Sequence, residues 1–489
     1  MSRYAALLVL EALILQLGIS VEKPAPHVAI IGGGIGGAST LHFLSELLNG
    51  NLEIDLYEAK TVGGRLATIT IDGDEFEAGG SVIHPKNMYM QRFVKLLGLE
   101  HNFFDDQKYG IWNGDEFVFT ESNWSVISLL KLFYRYGFQP YKLNRYVENM
   151  MEDFLKIYDL QDAGQSFANV TELLSAMNKD FPNLLQISIR DKLLHVGFTE
   201  RLINELEQAS IVGNFGQEVD VHSFLGFISW AASSDAWAVK GGNKRVPEDL
   251  IYRTKNVNVM RNRVTKIRNL ANINDSSRYE VTYTDKDGTD SITSNYDIVI
   301  IAAPLTKDQA SQIEFVGFPD DLIFPGSFQT THVTFIKANL NLKHFGLQET
   351  LDSILSCNPN KTNINMVLAL ESVDGLAKKN PRVWRVYSRK PMESSLIHDM
   401  FSNIIEKKEV AWKVSPRYST NLNYNNNFKL HDALYYVNAI EWAANGMEMS
   451  AIAGRNVAIL AHNDFLQMHS LNKEVIKDST KKLRVSTEL

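Results

Sequence analysis

The sequence predicts an α/β fold in which a Rossmann-like domain is interleaved along the chain with a mixed α+β domain. Three observations carry this. A buried-strand pattern, His27–Ile31, runs straight into Gly32-Gly33-Gly34-Ile35-Gly36-Gly37. A second short strand, Leu52–Tyr57, ends on an acid, Glu58, twenty-one residues after Gly37. Much later, Tyr296–Ala303 (YDIVIIAA) has the near-continuous apolar character of a strand covered on both faces.

The elements follow in chain order. Gly32, Gly34 and Gly37 fit G-x-G-x-x-G. The first permits a tight turn, the second lets the backbone approach a pyrophosphate, and the third lets helix and strand pack closely. Gly36 belongs to the same turn. Ile35, Ala38, Leu41, Leu44, Leu47 and Leu48 recur at helical spacing. The loop therefore opens a helix whose N-terminal N–H groups face a phosphate. Glu58, followed by Ala59, stands where an acid accepts ribose hydroxyls. Val257–Val259 and Val264–Ile267 read as returning strands. With the fingerprint at the start and a flavin-like motif near the end, the dinucleotide domain is expected from segments 27–85, 245–305 and 430–465. Segments 86–244 and 306–429 are expected to form a substrate-binding domain, and 466–489 a tail.

Composition removes several function classes. The chain has 489 residues, 45% hydrophobic and 22% charged, which excludes wholesale disorder and a polytopic membrane protein. A formal charge of −8 argues against nucleic-acid binding, although protonation of the twelve histidines would reverse its sign. The one cysteine, Cys357, rules out an intrachain disulfide, a Cys-x-x-Cys zinc site and a dithiol redox pair. It lies in a turn-like stretch and reads as an incidental thiol. No metal site is expected.

Met1–Ser20 has a basic start and an apolar run, the pattern of a secretory signal peptide. That places the protein in the secretory pathway, with the lysosome or secretion as destinations. Sequons at Asn123, Asn169, Asn274 and Asn360 permit glycosylation. Trp124–Tyr146 combines aromatic and aliphatic residues with Lys131, Arg135, Lys142 and Arg145. Such a segment either lies on an anionic membrane surface or packs its apolar face on the substrate domain. Packing is the expectation.

Further motifs point to a flavin. The run Glu58-x(4)-Gly63-Gly64-Arg65 resembles the second fingerprint of the FAD-binding amine oxidase superfamily, and Glu77-Ala78-Gly79-Gly80-Ser81 resembles its next element. Arg65 offers a fixed cation to a pyrophosphate, and Gly64, Gly79 and Gly80 allow close backbone approach. No second G-x-G-x-x-G follows, so electrons come from the substrate itself and leave to a diffusible acceptor, most simply O2. In that superfamily the position of Val264 gives a backbone contact to the adenine end. A helix beginning near Met447 points at the flavin, with Glu448 either contacting the cofactor or capping that helix.

Longer blocks resemble the prenylcysteine oxidases over nearly the whole chain. They are Gly79–Asn87 (GGSVIHPKN), Asn214-Phe215-Gly216-Gln217, Trp237–Lys244 (WAVKGGNK), Leu434–Glu441 (LYYVNAIE) and Met447–Ala453 (MEMSAIA). Lys240 departs from the family's usual acid, and Trp442 from its usual smaller residue. The resemblance implies FAD-dependent cleavage of the thioether of farnesyl- or geranylgeranyl-cysteine by O2, with no obligate protein partner. With Cys357 far from the flavin motifs, non-covalent FAD is expected. His84 is a candidate to orient water or the amino-acid end, or is a structural histidine. Asn214, Gln217 and Asn243 are candidates for the cysteine carboxylate or the flavin edge, or are turn-forming residues. Trp230, Trp237 and Trp442 either wall a prenyl channel or are core. Two other readings stand beside this one: a related flavin amine oxidase, and a prenyl-binding protein like the Rab escort and GDP-dissociation-inhibitor proteins. Intact Glu58, Gly63-Gly64-Arg65 and Gly79-Gly80 argue against the latter.

Overall fold

His27–Ile31 lies inside a six-stranded sheet whose order is Lys429–His431, Leu434–Tyr436, Ile298–Ile301, His27–Ile31, Glu53–Tyr57, Val257–Met260. All neighbours pair in parallel except the first strand, which turns back on the second. Val28 sits opposite Ile298 on one side and Ile54 on the other, and Val28, Ala29 and Ile30 are fully buried. Apolar residues on both pleats are what a sheet covered on both faces requires. The structure, a computed structural model, describes residues 25–486 apart from 105–106, 233–235, 271–276, 286–287, 289, 376–378 and 422–423, with side chains described through residue 468. The signal segment 1–20 and the sequon at Asn274 lie outside the described residues.

The helix Ile35–Leu47 covers this sheet and is itself covered by the last helix, Met447–Ser486. The two backbones meet at glycines: a Cβ on Gly454 would lie 3.0 Å from the Gly36 carbonyl oxygen, and one on Gly36 would lie 3.2 Å from a Val437 methyl. Gly36 is thus a packing position.

A seven-stranded sheet forms the second layer, in the order Phe401–Pro416, Phe328–Leu340, Arg382–Ser388, Ile364–Ala369, Ser353–Ser356, Tyr109–Trp112, Phe117–Thr120. Helices between 125 and 231 pack beside it. The hairpin Thr68–Ile71/Asp74–Glu77 joins the two parts, because its Ile71, Phe76 and Ala78 share a core with Val333, Phe335 and Val383. Val264 lies in neither large sheet. It is buried in a four-stranded sheet, opposite Tyr283 and just before a register shift.

The segment 124–146 overturns the packing expectation. It forms one helix, Ser125–Tyr136, and the start of another, Gln139–Asp162. Trp124, Val126, Ile127, Leu129, Leu130, Phe133, Tyr134, Phe138 and Tyr141 are all exposed. Two of the cations reach back to the protein instead. Lys131 Nζ donates to the Thr120 carbonyl at 3.0 Å, and Arg135 grips Glu205 through two bonds of 2.6 and 2.7 Å. Cys357 sits as expected, at a bend between the strand Ser353–Ser356 and the turn at Pro359–Asn360; it is buried, and burial pushes its thiol up to about 11.

Candidate functional site

The fingerprint loop is built so that only glycine fits. Gly32 has φ +111°, and a Cβ there would lie 2.5 Å from the Ala302 carbonyl oxygen. A Cβ on Gly37 would lie 2.0 Å from the Gly32 oxygen. Gly34 caps the helix Ile35–Leu47 in extended geometry without a side-chain bond, and no acid occupies the first turn. The positive end of that helix is therefore available to an anion. Glu58 Oε2 accepts the Gly33 N–H at 2.9 Å and Oε1 the Lys60 N–H at 2.8 Å, with Ala59 exposed beside it.

The second glycine pair lies against the first loop. Gly63 N–H donates to the Gly33 carbonyl at 2.9 Å, and a Cβ on Gly64 would approach Gly34 Cα to 3.3 Å. The third pair extends this floor. A Cβ on Gly79 would fall 1.8 Å from the Arg65 oxygen, and one on Gly80 would lie 2.8 Å from Leu66 and 3.8 Å from Met447. Gly64, Gly80 and Val82 are exposed along it. This trench of glycine backbone, with an acid at one end and helix N-termini beside it, fits a long dinucleotide, and the glycines let its segments approach more closely than any side chain would allow.

Arg65 departs from the role expected for it. Its guanidinium clasps the buried Glu441 and donates to the Val414 carbonyl at 2.8 Å, so its charge is already paired. Asn438 donates to the same carboxylate at 2.7 Å. Glu441 was legible only as part of a motif, and its partner was not.

Glu448 neither lines the trench nor caps its own helix. Its buried carboxylate accepts the N–H groups of Tyr89 and Met90 at 2.7 and 3.0 Å, and the Tyr158 hydroxyl at 2.7 Å. It thus caps the N-terminus of the helix Met88–Leu97, whose own Asn87 is used elsewhere: Asn87 Oδ1 accepts the His84 N–H at 2.7 Å. Burial pushes Glu448 up to about 7, against the pull of those three donors.

Of the other candidates, Asn243 and Trp237 bond directly to the 80–83 segment, and Asn214, Gln217, Trp230 and Trp442 are held elsewhere. His84 Nδ1 accepts the Lys86 N–H at 3.0 Å, which leaves its proton on Nε2 when the ring is neutral. Asn243 is fully buried; its Nδ2 donates to the Gly80 carbonyl at 3.0 Å and its Oδ1 accepts the Val239 N–H at 2.8 Å. Glu77 Oε1 accepts the Asn243 N–H at 2.6 Å, and burial raises this carboxyl to about 7. Arg385, which the sequence reading missed, donates to the Glu77 carbonyl and to Ser81 Oγ, both at 3.1 Å. Its signal was a second cation at the centre of the otherwise apolar strand Arg382–Ser388 (RVWRVYS), where it is almost fully buried.

Asn214 donates to Ser229 Oγ at 2.9 Å, and Gln217 bridges the Pro416 carbonyl and the Tyr418 N–H at 2.9 and 2.8 Å. Trp237 is buried and exchanges backbone bonds with Ile83, two residues beyond Ser81. Trp442 stacks on Tyr424 with centroids 5.1 Å apart, its ring lying over Gly326. Trp230 donates to Asn144 at 2.6 Å. Lys240 pairs with Glu100 on the surface at 2.9 Å. Among the described residues no cluster of His, Cys, Asp and Glu could hold a metal ion.

Comparison with known proteins decides the family. The prenylcysteine lyase family matches residues 119–474, and an NAD(P)-binding Rossmann-like domain matches residues 30–97. The chain belongs to the prenylcysteine lyase family. It is 37% identical to prenylcysteine oxidase 1 of Mus musculus with both chains fully covered. It is 36% identical to prenylcysteine oxidase 1-like of Bos taurus, again over all of both chains. Among solved structures, a fatty acid isomerase from P. acnes superposes with a TM-score of 0.60 at 14% identity, covering 88% of this chain and 98% of that one. Cyclohexylamine oxidase from Brevibacterium oxydans gives 0.57 at 14%, covering 90% and 100%. These structures share the fold.

Proposed function

We propose that the protein oxidises prenylcysteines with FAD and O2, yielding cysteine, the prenyl aldehyde and hydrogen peroxide. The observation that carries this reading is the glycine-floored trench meeting the N-terminus of the Met447 helix, in a chain of the prenylcysteine lyase family. When bound there, FAD supplies hydride acceptance and transfer of the electrons to O2. Glu58 and the Gly33–Gly34 turn hold the ribose and pyrophosphate end, with Gly64, Gly79 and Gly80 letting the backbone lie against the rest. Arg385, Asn243 and Glu77 fix the Gly79–Ser81 floor through the bonds given above. About half a unit of positive charge at the Met447 helix end favours negative charge nearby. The carbon that loses hydride is allylic and α to sulfur, so the substrate stabilises its own developing cation, water adds, and the hemithioacetal collapses. We assign His84, with its proton on Nε2, to orient that water. We read binding as non-covalent: Cys357 lies in the other layer with its thiol raised by burial, which leaves no cysteinyl link, while the histidine count leaves a histidyl link open.

The exposed helix Ser125–Tyr136 rests on lipid. Its apolar side chains face out while Lys131 and Arg135 are spent on the body of the protein, and Lys142 and Arg145 remain exposed for anionic headgroups. A lipid-borne isoprenoid would reach the substrate domain by that route. The protein acts in an acidic compartment of the secretory pathway, with the lysosome as destination. Supporting this, burial raises Glu77 and Glu448 to about 7, so each is accommodated in its neutral form as pH falls. His222 opposes it, since burial lowers that imidazole to about 4.

Purified protein should be yellow. Farnesylcysteine should bleach its flavin absorbance anaerobically, and putrescine or cyclohexylamine should not. Bleaching by the amines alone would replace this reading with an amine oxidase. Protein carrying no flavin would replace it with a prenyl-binding protein.

A further inference from the structure

At the C-terminal end of the helix Gln208–Phe215 lies a pocket of about 240 Å³. Arg389, Arg417, Glu218 and Asp220 line it, two cations and two anions. Among the described residues none of the four forms an ion pair, although they share one cavity. Arg389 is anchored by Nη2 on the Pro359 and Thr362 carbonyls, while its Nη1 is buried and donates to nothing. Glu218, Asp220 and Arg417 are exposed at the cavity, so their charges are open to a solute that enters it. Burial lowers Arg389 from the usual guanidinium range, and the nearby Glu218 offsets part of that.

The pocket wall is connected by hydrogen bonds to the segment before the last helix. It includes Gln217 and Tyr418. The Tyr418 hydroxyl accepts the Asn445 N–H at 3.0 Å and donates to Asn445 Oδ1 at 3.2 Å. Asn445 stands two residues before Met447, so this hydrogen-bonded pair ties the cavity wall to the segment that leads into the last helix.

Opposite charges held apart in one cavity match a ligand that carries both. An α-amino acid does: its carboxylate suits the planar guanidinium fork, and its ammonium suits carboxylates. We propose that this pocket holds the zwitterionic amino-acid head of the thioether substrate and of the cysteine released from it, with Arg389 and Arg417 on the carboxylate and Glu218 and Asp220 on the ammonium. The assignment to substrate rests on the prenylcysteine reading. Gln217 then acts as a positioning residue, holding Pro416 and Tyr418 on either side of Arg417.

The test is calorimetric titration of the flavin-loaded full-length protein with S-hexyl-L-cysteine, its methyl ester and its N-acetyl derivative. None has an allylic carbon, so binding is read without turnover. The wild type should bind the parent at least about tenfold more tightly than either derivative, one charge-assisted contact being lost in each. R417Q and R389Q should bind parent and ester alike, and D220N should bind parent and N-acetyl derivative alike. Because Arg389 also anchors two carbonyls, R417Q decides the matter if R389Q fails to fold. No binding of the parent, equal binding of all three by wild type, or an ester ratio unchanged in R417Q would overturn the pocket. If the titrations keep the charge pattern while farnesylcysteine leaves the flavin unbleached, the pocket stands and the prenylcysteine reading falls.

Discussion

The helices Ile35–Leu47 and Ser125–Tyr136 are 13 and 12 residues long, and both carry apolar residues at helical spacing. They bury opposite halves of themselves. The first hides Ile35, Ala38, Leu41, Phe43 and Leu44, and even its Ser39 and Thr40 turn back onto backbone carbonyls. The second buries only Ser128 and Tyr136, packs Leu132 partly on the core, and turns Leu129 and Leu130 outward. What differs is the neighbour. The first helix meets an apolar sheet on one side and a glycine-notched helix on the other. The second meets the Thr120 carbonyl and the Glu205 carboxylate, which select its cations. Periodicity therefore shows that a helix forms, while the polar groups of adjacent elements decide which face it hides.

The sharpest way to break the buried side of that contrast is Gly37→Val. A Cβ there meets the Gly32 carbonyl at 2.0 Å, a backbone atom that cannot swing away. We expect protein without flavin and with most of its stability lost, beyond about 4 kcal/mol, read by absorbance and thermal unfolding. A yellow variant melting like wild type would show that the helix need not approach so closely. On the outward side, the double variant L129E/L130E should leave the melting temperature unchanged, because both leucines are already in water. Its partitioning onto phosphatidylcholine–phosphatidylserine vesicles should fall by about 3–4 kcal/mol, at least a hundredfold, as two leucines stop entering the lipid. Undiminished flotation with vesicles would mean the patch serves something else.

The sequence announced the parallel sheet and its fingerprint because those signals are local: an apolar run, glycines where φ or packing excludes a side chain, and an acid at a strand end. Partners separated by long stretches of chain were not legible. Arg65 and Glu441 are 376 residues apart, and Glu448 caps a helix 359 residues before it. Each carboxylate sits in a recognisable motif, yet nothing in a motif says which distant donor it will meet. Trp442 stands out in its motif, but its ring fits because Gly326 lies beneath and Tyr424 stacks above, on two other segments. The π-helical turn Ile203–Glu207 escaped for a different reason. One widened turn leaves no mark in an apolar period of 3.6.

That turn supplies the next test, since it carries both the anchor of the outward helix and a carboxyl of the opposite kind. Glu205 points to Arg135, whereas Glu207 is fully buried with neither oxygen hydrogen-bonded. Burial alone raises Glu207 to about 8 from an ordinary 4.5. The unfolded chain ionises this group above its ordinary value while the folded chain keeps it neutral. Folding therefore loses stability as pH rises between the two values and loses no more above the higher one. Glu207→Gln removes the dependence. The variant should gain about 3 kcal/mol over wild type at pH 7 relative to their difference near pH 4.5, measured by denaturant titration at both pH values. A gap between the two proteins that stays constant with pH would mean that Glu207 finds water or a partner.

The smallest effect belongs to the anchor itself. Glu205 holds Arg135 at 2.6 and 2.7 Å and accepts the Tyr136 hydroxyl at 2.8 Å, with Glu205 mostly and Arg135 about two-thirds shielded from solvent. Partial exposure screens the pair, so Glu205→Gln should cost about 1–2 kcal/mol in global unfolding. The local readout is more telling. If polar bonds rather than apolar contacts hold the outward helix, amide exchange across Ser125–Tyr136 should quicken in E205Q while Ile35–Leu47 keeps its protection. Vesicles should restore that protection, because lipid then supplies the apolar contact that the protein body does not. Equal quickening in both helices would mean that the two are not held by different forces after all, and the contrast between them would reduce to exposure alone.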